Sequence, residues 1–239
     1  MNKNTLTISQ ANSWQMFNTI SRRYDFLNHL LSFGLDVHWR KRLIHFLPTQ
    51  KNLDILDLAT GTADVLITLA KDSNQIHSGY GLDLADKMLA IGQQKIQKAN
   101  LSNKLRLAYG DAHHIPYESE KFDVVTMAFG IRNFGHPPTV LGEIHRVLKA
   151  VSRILILEFS IPQNQCVRFL YLLYLRVIVP MLGAIFSGHY HAYRYLNQTI
   201  EEFPYGEQFC DLLRTNGFVN VKANPLCFGI ATIYQGEKK

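Results

Sequence analysis

The stretch from Leu53 to Asp64, Leu-Asp-Ile-Leu-Asp-Leu-Ala-Thr-Gly-Thr-Ala-Asp, limits most strongly what this chain can become. An apolar run of β-strand character reaches an acid, Asp57, passes through a turn of small residues from Ala59 to Ala63, and enters a helix-like segment, Val65 to Lys71. That order is the first βα turn of a doubly wound sheet, where backbone N–H groups at a helix N-terminus face a ligand. A second strand-like segment, Gly79-Tyr-Gly-Leu-Asp83, ends in an acid 22 residues after Gly61. This is close to the roughly 20-residue spacing that sets a carboxylate on a ribose diol, which makes Asp83 a candidate hydroxyl acceptor.

The strict dinucleotide fingerprint G-x-G-x-x-G is absent, because only Gly61 is glycine and Ala59 and Ala63 flank it. The missing glycines argue against a pyrophosphate pressed onto the backbone and leave room for a nucleoside without phosphates. S-adenosylmethionine is the obvious ligand of that kind. An ordinary α/β domain with a small-residue turn carries the same pattern, so the rest of the chain has to decide.

At 239 residues the chain is long enough for one sizeable α/β domain with additions and too short for two independent cores. A hydrophobic share of 47% and a charged share of 18% are globular values, with disorder expected only in the first few residues and at Lys238-Lys239. The net charge of +6 and pI near 9.2 favour an anionic partner. The cations do not form one long block, the densest groups being Arg22-Arg23 and His38 to Arg42, so a nucleic-acid track is not supported. Cys166, Cys210 and Cys227 are odd in number and widely spaced, which points to a reducing compartment and no structural metal. Residues Met1 to Gln10 lack the apolar core of a signal peptide, and a cytoplasmic location is expected.

Residues 11–47 read as helical, with Tyr24 and Asn28 on one face, Asp25 beside them, and an apolar face of Phe26, Leu27, Leu30 and Leu31. Gly34 would stop the first helix, and Val37 to Leu47 would form a second one ended by Pro48. Strands are expected at Leu53–Leu58, Ser78–Leu82, Lys104–Tyr109, Phe122–Ala128 and Arg153–Phe159, with helices at Ala63–Lys71, Lys87–Ala99 and Pro138–Leu148 between them. That alternation implies right-handed crossovers and a parallel sheet with ligand residues at strand carboxyl ends. The third such end, Gly110-Asp111-Ala112, can accept from an adenine amino group through Asp111, or holds an ordinary turn aspartate. The fourth is Ala128-Phe-Gly-Ile-Arg-Asn-Phe134, where Arg132 is hard to explain as core.

Cys166 to Phe186 is strongly apolar but interrupted by Arg168, Arg176, Pro180 and Gly183, which count against a bilayer span. An amphipathic helix lining an apolar pocket or resting on a membrane fits better. His189 and His191 are an i, i+2 pair, poorly spaced for metal binding on one helix face, and read as surface or pocket-lining residues. A last helix, Gly206 to Asn216, leads into strands near Phe218–Lys222 and Leu226–Tyr234, an antiparallel hairpin at the sheet edge.

With these segments placed, the chain resembles the ubiquinone/menaquinone biosynthesis C-methyltransferase family of class I S-adenosylmethionine-dependent methyltransferases. The resemblance is carried by Tyr24-Asp-Phe-Leu-Asn28, Ser32-Phe-Gly34, Trp39-Arg-Lys-Arg42, Leu56 to Asp64, Gly110-Asp-Ala112 with Ile115-Pro-Tyr117, Phe122 to Thr126, Phe129-Gly-Ile-Arg-Asn133, His145 to Lys149, Leu157-Glu-Phe-Ser160 and Tyr193-Arg-Tyr-Leu196. It implies an α/β, Rossmann-like, mostly parallel seven-stranded sheet with an antiparallel edge strand and an N-terminal helical cap. The whole chain, 1–239, would be one methyltransferase domain: cap 11–48, cofactor core 49–160, apolar helical lid 161–204, and last helix with edge hairpin 205–239. Two departures stand out. Ala150-Val-Ser152 replaces the family's Pro-Gly-Gly, and Gly188-His-Tyr-His-Ala192 replaces a Gly-Asp-x-x-Ser-like stretch.

The resemblance implies transfer of a methyl group from S-adenosylmethionine to a ring carbon of a polyprenylated quinol, with no metal. A different methyltransferase acting on another lipid, a sterol or a small phenol is the alternative. Thr62, Asp83, Asp111 and Ala112 would contact the cofactor, with Asp57 and Gly61 shaping the turn. Arg132 would stabilise a phenolate and Asn133 orient the ring. Tyr24, Asp25 and Asn28 would close the site from the cap, and Asp25, His113 or His114 could take the proton. A prenyl tail resides in the bilayer, so a peripheral place on the inner membrane face is expected. Oligomeric state stays open, a homodimer included.

Overall fold

The computed structural model describes residues 13–187 and 190–239, the side chains of Ser13, Arg22, Arg23, 185–187 and 190–193 excepted. The His189 and His191 reading, the Arg22-Arg23 group and the first ten residues therefore lie outside what is described. Seven strands form one sheet in the order β3-β2-β1-β4-β5-β7-β6. They are β1 (Leu53–Leu58), β2 (Ile76–Asp83), β3 (Leu105–Tyr109), β4 (Phe122–Ala128), β5 (Leu148–Phe159), β6 (Val219–Leu226) and β7 (Ala231–Glu237). The first five pair in parallel, while β7 runs antiparallel to both β5 and β6. Order reverses between β1 and β4, and a doubly wound sheet binds its ligands above that reversal.

The central strands read as near-continuous apolar runs because helices cover both faces. On one face Val65, Leu66 and Leu69 of α3 (Asp64–Asp72) and Ile96 of α4 (Asp86–Lys98) pack with Trp39 and Leu43. On the other, Val140, Leu141 and Ile144 meet Phe209 and Leu213, bringing α5 (Pro137–Val147) beside α9 (Glu207–Thr215). A third cluster of Leu27, Ile161, Tyr171, Leu175, Val179 and Ile200 lies above the strand ends. It joins α1 (Ser13–Leu31) to the helices after β5: α6 (Gln165–Leu173), α7 (Val179–Ser187) and α8 (Tyr190–Glu202).

Several boundaries differ from the sequence reading. Gly34, at φ 74°, does separate two helices, but α2 spans Leu35–Arg42 and gives way to a 3-10 turn, Leu43–Phe46, instead of running to Leu47. Helix α8 takes in most of the polar-aromatic stretch, and the final strands lie a few residues later than expected, joined by a 3-10 turn at Cys227–Gly229. Between α6 and α7 a π-turn, Tyr174–Ile178, absorbs the backbone mismatch ahead of Pro180, and Asn197 Nδ2 donates to the Leu175 carbonyl there. The segment from Gln165 to Ala184 is long and apolar enough to cross a membrane, with mean hydropathy 1.6. Its Tyr171, Leu175 and Val179 side is buried in the cap cluster. The outward side carries Phe169, Leu170, Leu173, Val177 and Met181, broken by Arg168 and Arg176, so the expected polar face is largely missing.

Candidate active site

Two cavities lie above the sheet's reversal point. The first, about 360 Å³, is lined by Gly61, Asp83, Met88, Asp111, Ala112 and His113 among others. The second, about 470 Å³, is lined largely by apolar residues of α1, α2, α6 and α7, with Asn28, Asp36, Arg40, Arg132 and Tyr171 in its wall. Phe17, Tyr24, Phe129 and Asn133 line both, so the cavities adjoin at these side chains. Both volumes suit small-molecule ligands.

The smaller cavity is built by the β1 turn. Ala59, Gly61 and Ala63 all adopt positive φ, at 49°, 54° and 64°. The backbone thus keeps left-handed turns at two positions where alanine, the residue with the smallest side chain after glycine, stands in. Asp57 lies beneath, buried, accepting from Thr60 Oγ1 and Thr126 Oγ1, each at 2.6 Å. Burial pushes its carboxyl up to about 7, against those two hydroxyl bonds. Asp83 accepts from the Gly61 N–H at 2.7 Å and the Ala85 N–H at 2.8 Å. Burial raises it too, while these backbone donors pull the other way. Asp111 Oδ1 accepts from the His113 N–H at 2.9 Å and bonds the His113 ring at 2.8 Å. Burial works to raise Asp111, but the His113 bonds outweigh it and hold the carboxyl below its usual value.

Two acids at strand ends, a backbone edge after Gly110, and the apolar flanks of Leu82, Leu84 and Met88 fit an adenosine with a short charged tail. Among the described residues no lysine or arginine lines this cavity, which suits a ligand without phosphates.

The larger cavity is fixed by a buried pair. Arg132 Nη1 donates to Glu158 Oε1 at 2.7 Å and to the Phe129 carbonyl at 2.6 Å, and its guanidinium lies 5.4 Å from the centre of the Phe159 ring. Burial raises the Glu158 carboxyl, with Arg132 opposing. Tyr24 is raised by burial and pulled back by its bond with Asn28 and by the Arg132 charge. Asn133 Oδ1 and Tyr171 Oη are buried with no hydrogen-bond partner among the described residues, and both side chains line the cavity. Such atoms suit a polar ring substituent in an otherwise apolar chamber.

Asp25 and Thr62 line neither cavity. Thr62 Oγ1 donates to Asp25 at 2.7 Å, and Lys95 joins Asp25 and Asp64 at 2.6 Å each, a polar latch between α1 and the core. His113 faces the smaller cavity and His114 faces neither. Sequence reasoning missed the acid that does face the larger chamber. Asp36 accepts from Arg40 at 2.5 Å, from Ser32 at 2.7 Å, and bonds His29 Nδ1 at 2.7 Å. Burial works to raise it, but these three partners hold it below its usual value. The i, i+4 spacing of Asp36 and Arg40 was the available signal. Glu158 also escaped notice as a site residue, because a strand acid gives no hint of a buried arginine partner.

The sequence model of the ubiE/COQ5 methyltransferase family matches residues 6–238. The ubiquinone/menaquinone biosynthesis C-methyltransferase UbiE of Geotalea daltonii is 39% identical over 224 residues, 94% of this chain and 95% of its own length. The demethylmenaquinone methyltransferase of Bacteroides fragilis is 38% identical, covering 94% of this chain and 91% of its own. Among solved structures, an S-adenosylmethionine-dependent methyltransferase of Thermotoga maritima superposes with TM-score 0.67 at 17% identity, covering 95% of this chain and 100% of that one. Phosphoethanolamine N-methyltransferase 2 of Haemonchus contortus, in complex with S-adenosylmethionine, gives 0.61 at 14% identity, covering 82% and 51%. These structures share the fold, and the sequence match assigns the rest: the chain belongs to the ubiE/COQ5 methyltransferase family.

Proposed function

We propose that this chain is an S-adenosylmethionine-dependent C-methyltransferase acting on a polyprenylated quinol in menaquinone or ubiquinone biosynthesis, at the cytoplasmic face of a membrane. The observation that carries this reading is the adjacency of the two cavities: a nucleoside-sized one with Asp83 and Asp111 in its lining meets a largely apolar one at Tyr24 and Asn133. The relatives named as quinone methyltransferases support the acceptor class.

Asp83 takes the ribose hydroxyls, Asp111 and the Ala112 backbone take the adenine, and the turn from Ala59 to Ala63 closes on the ligand. S-adenosylmethionine, when bound, supplies a methyl group on a sulfonium that leaves as a neutral thioether. The chain's own task is to hold a ring carbon in line with it and to make that carbon nucleophilic, alignment alone being worth up to about 7–11 kcal/mol. Arg132, steadied by Glu158, donates to the quinol oxygen and stabilises the phenolate. Asn133 and Tyr24 orient the ring where the two cavities adjoin.

Losing the hydroxyl proton sends electron density to the ring carbon, which forms the new C–C bond as the methyl–sulfur bond breaks. The hydrogen on that carbon then moves to the oxygen as the ring regains aromaticity, so one proton leaves per turnover. Asp36 is the acid in the wall of the acceptor chamber and takes the hydroxyl proton, and His29, bonded to it through Nδ1, links that carboxyl to the surface. The His29 side chain is 44% exposed and hands the proton to solvent. Asp25 is committed to Lys95 and serves the cap, not the proton.

Incubation of the purified protein with S-adenosylmethionine and a demethylmenaquinol in detergent, read by mass spectrometry, tests the assignment. A product heavier by one methylene unit supports it. Methylation of a sterol or a tail-less phenol with the quinol untouched overturns it.

A further inference from the structure

The acceptor cavity opens onto an apolar rim. Phe33 and Phe228 both line it and are 79% and 84% exposed. Both sit at positive φ, 53° and 60°, a region disfavoured for bulky side chains. Phe33 belongs to the α1–α2 turn and Phe228 to the β6–β7 turn, so the same costly choice recurs in two unrelated connections. Folding alone would favour glycine or asparagine at each. On α6, Leu170 lines the same cavity, and Phe169 and Leu173 project outward beside it, 68% and 50% exposed. The Phe33 ring centre lies 5.9 Å from that of Tyr174, which ties the α1–α2 turn to the π-turn that follows α6.

Building on the quinol reading, we infer that Phe33, Phe228, Phe169, Leu170 and Leu173 form a collar that enters a lipid bilayer and seats the cavity mouth against it. The prenyl tail then passes sideways from the acyl chains into the chamber without crossing water. The collar comes from three separate segments around an opening. A second copy of the chain placed there would close the acceptor's way in, whereas a bilayer contains the acceptor. Exposed Arg168 on α6 and the net charge of +6 suit anionic headgroups around the inserted rings.

The test is co-sedimentation of the full chain with quinol-free vesicles of phosphatidylcholine and phosphatidylglycerol. Two variants are compared with wild type: Phe33→Asn with Phe228→Gly, which relieves the positive-φ strain and so keeps the fold, and Phe169→Ser with Leu173→Ser, which leaves the cavity lining intact. Each should bind vesicles about tenfold or more weakly, since each loses two buried rings or aliphatic groups from the interface. The second variant should keep the wild-type rate on a tail-less quinol in solution and lose rate on a prenylated quinol in vesicles. Wild-type vesicle binding by both variants overturns the collar, as does a wild-type dimer in analytical ultracentrifugation that these substitutions dissociate. Because vesicle binding is read without acceptor, a chain that binds through the collar but methylates no quinol refutes the quinol reading alone.

Discussion

Arg132 and Glu158 meet at 2.7 Å with side chains 5% and 1% exposed, and the arginine faces the acceptor chamber while the glutamate stands behind it. Glu158 is thus a positioning residue for Arg132. Glu158→Gln keeps the shape and removes the charge, and should lower kcat roughly 10- to 100-fold, the worth of one charge-assisted hydrogen bond. Arg132→Ala should cost about 100-fold or more. Calorimetry should find S-adenosylmethionine affinity unchanged in both; a lost affinity with intact kcat would place the pair in the wrong half of the site.

Asp83 belongs to the other half. Asp83→Ala removes the proposed ribose acceptor and releases the Gly61 N–H, and should weaken cofactor binding by roughly 10- to 100-fold. The apparent KM for quinol at saturating cofactor should stay as in wild type. Steady-state kinetics with each substrate varied in turn separates the two effects.

The Asp36–His29 route makes a kinetic demand. Asp36 is held below the ordinary 3.8, so it is ionised from pH 5 upward and adds no acid limb to the rate profile in that range. Asp36→Asn should lower kcat about 100-fold. His29→Gln should lower it less, and added imidazole should restore part of the loss through the exposed edge. Absence of any rescue, with kcat as in wild type, would remove His29 from the proton's path.

Asp57 gives stability a pH dependence. Its folded carboxyl titrates near 7 against an ordinary 3.8, so between those values the folded state carries the extra proton. The stability tied to that proton is full below pH 3.8 and is lost as pH rises through 7. Asp57→Asn has no such proton to lose, and Thr60 and Thr126 can still bond its amide. Urea midpoints should therefore shift in favour of the variant between pH 5 and pH 8; a constant difference would contradict the assignment.

Val151 sits at φ 59°, 80% exposed, where the register between β4 and β5 slips from the Phe122–Leu148 pair to the Val124–Arg153 pair. Where the resemblance led to an expected Pro-Gly-Gly, this chain places a β-branched residue in the left-handed region. Its N–H still donates to the Lys238 carbonyl at 3.1 Å. Val151→Gly should raise stability by about 1 kcal/mol, the relieved strain exceeding the added chain entropy. Thermal unfolding measures this directly, and a lower melting temperature would show that the turn is unstrained.

The strand–helix alternation was legible because β1 and β4 are buried on both faces and read as largely apolar runs, interrupted by Asp54 and Asp57 in one and by Asp123 and Thr126 in the other, and because Asp83, Gly110-Asp111 and Arg132-Asn133 mark strand ends. What escaped depends on contacts across the fold. Asp36 and Glu158 are ordinary acids until Arg40 and Arg132 are brought beside them. Asp25 pointed the wrong way for a subtler reason: adjacent helix positions diverge by about 100°, so the cavity that receives Tyr24 and Asn28 excludes it.

The latch that holds Asp25 joins α1 to the core through Lys95, and Asn18 adds two bonds of its own, to Asp86 at 2.7 Å and from the Lys87 N–H at 3.1 Å. Polar fasteners of this kind are indifferent to what the rest of the helix recognises. The seating of α1 on the core can therefore persist while the residues that choose the recipient change. A new acceptor could be admitted by rewriting the inner face of α1, with Asn18, Asp25 and Lys95 left as they are.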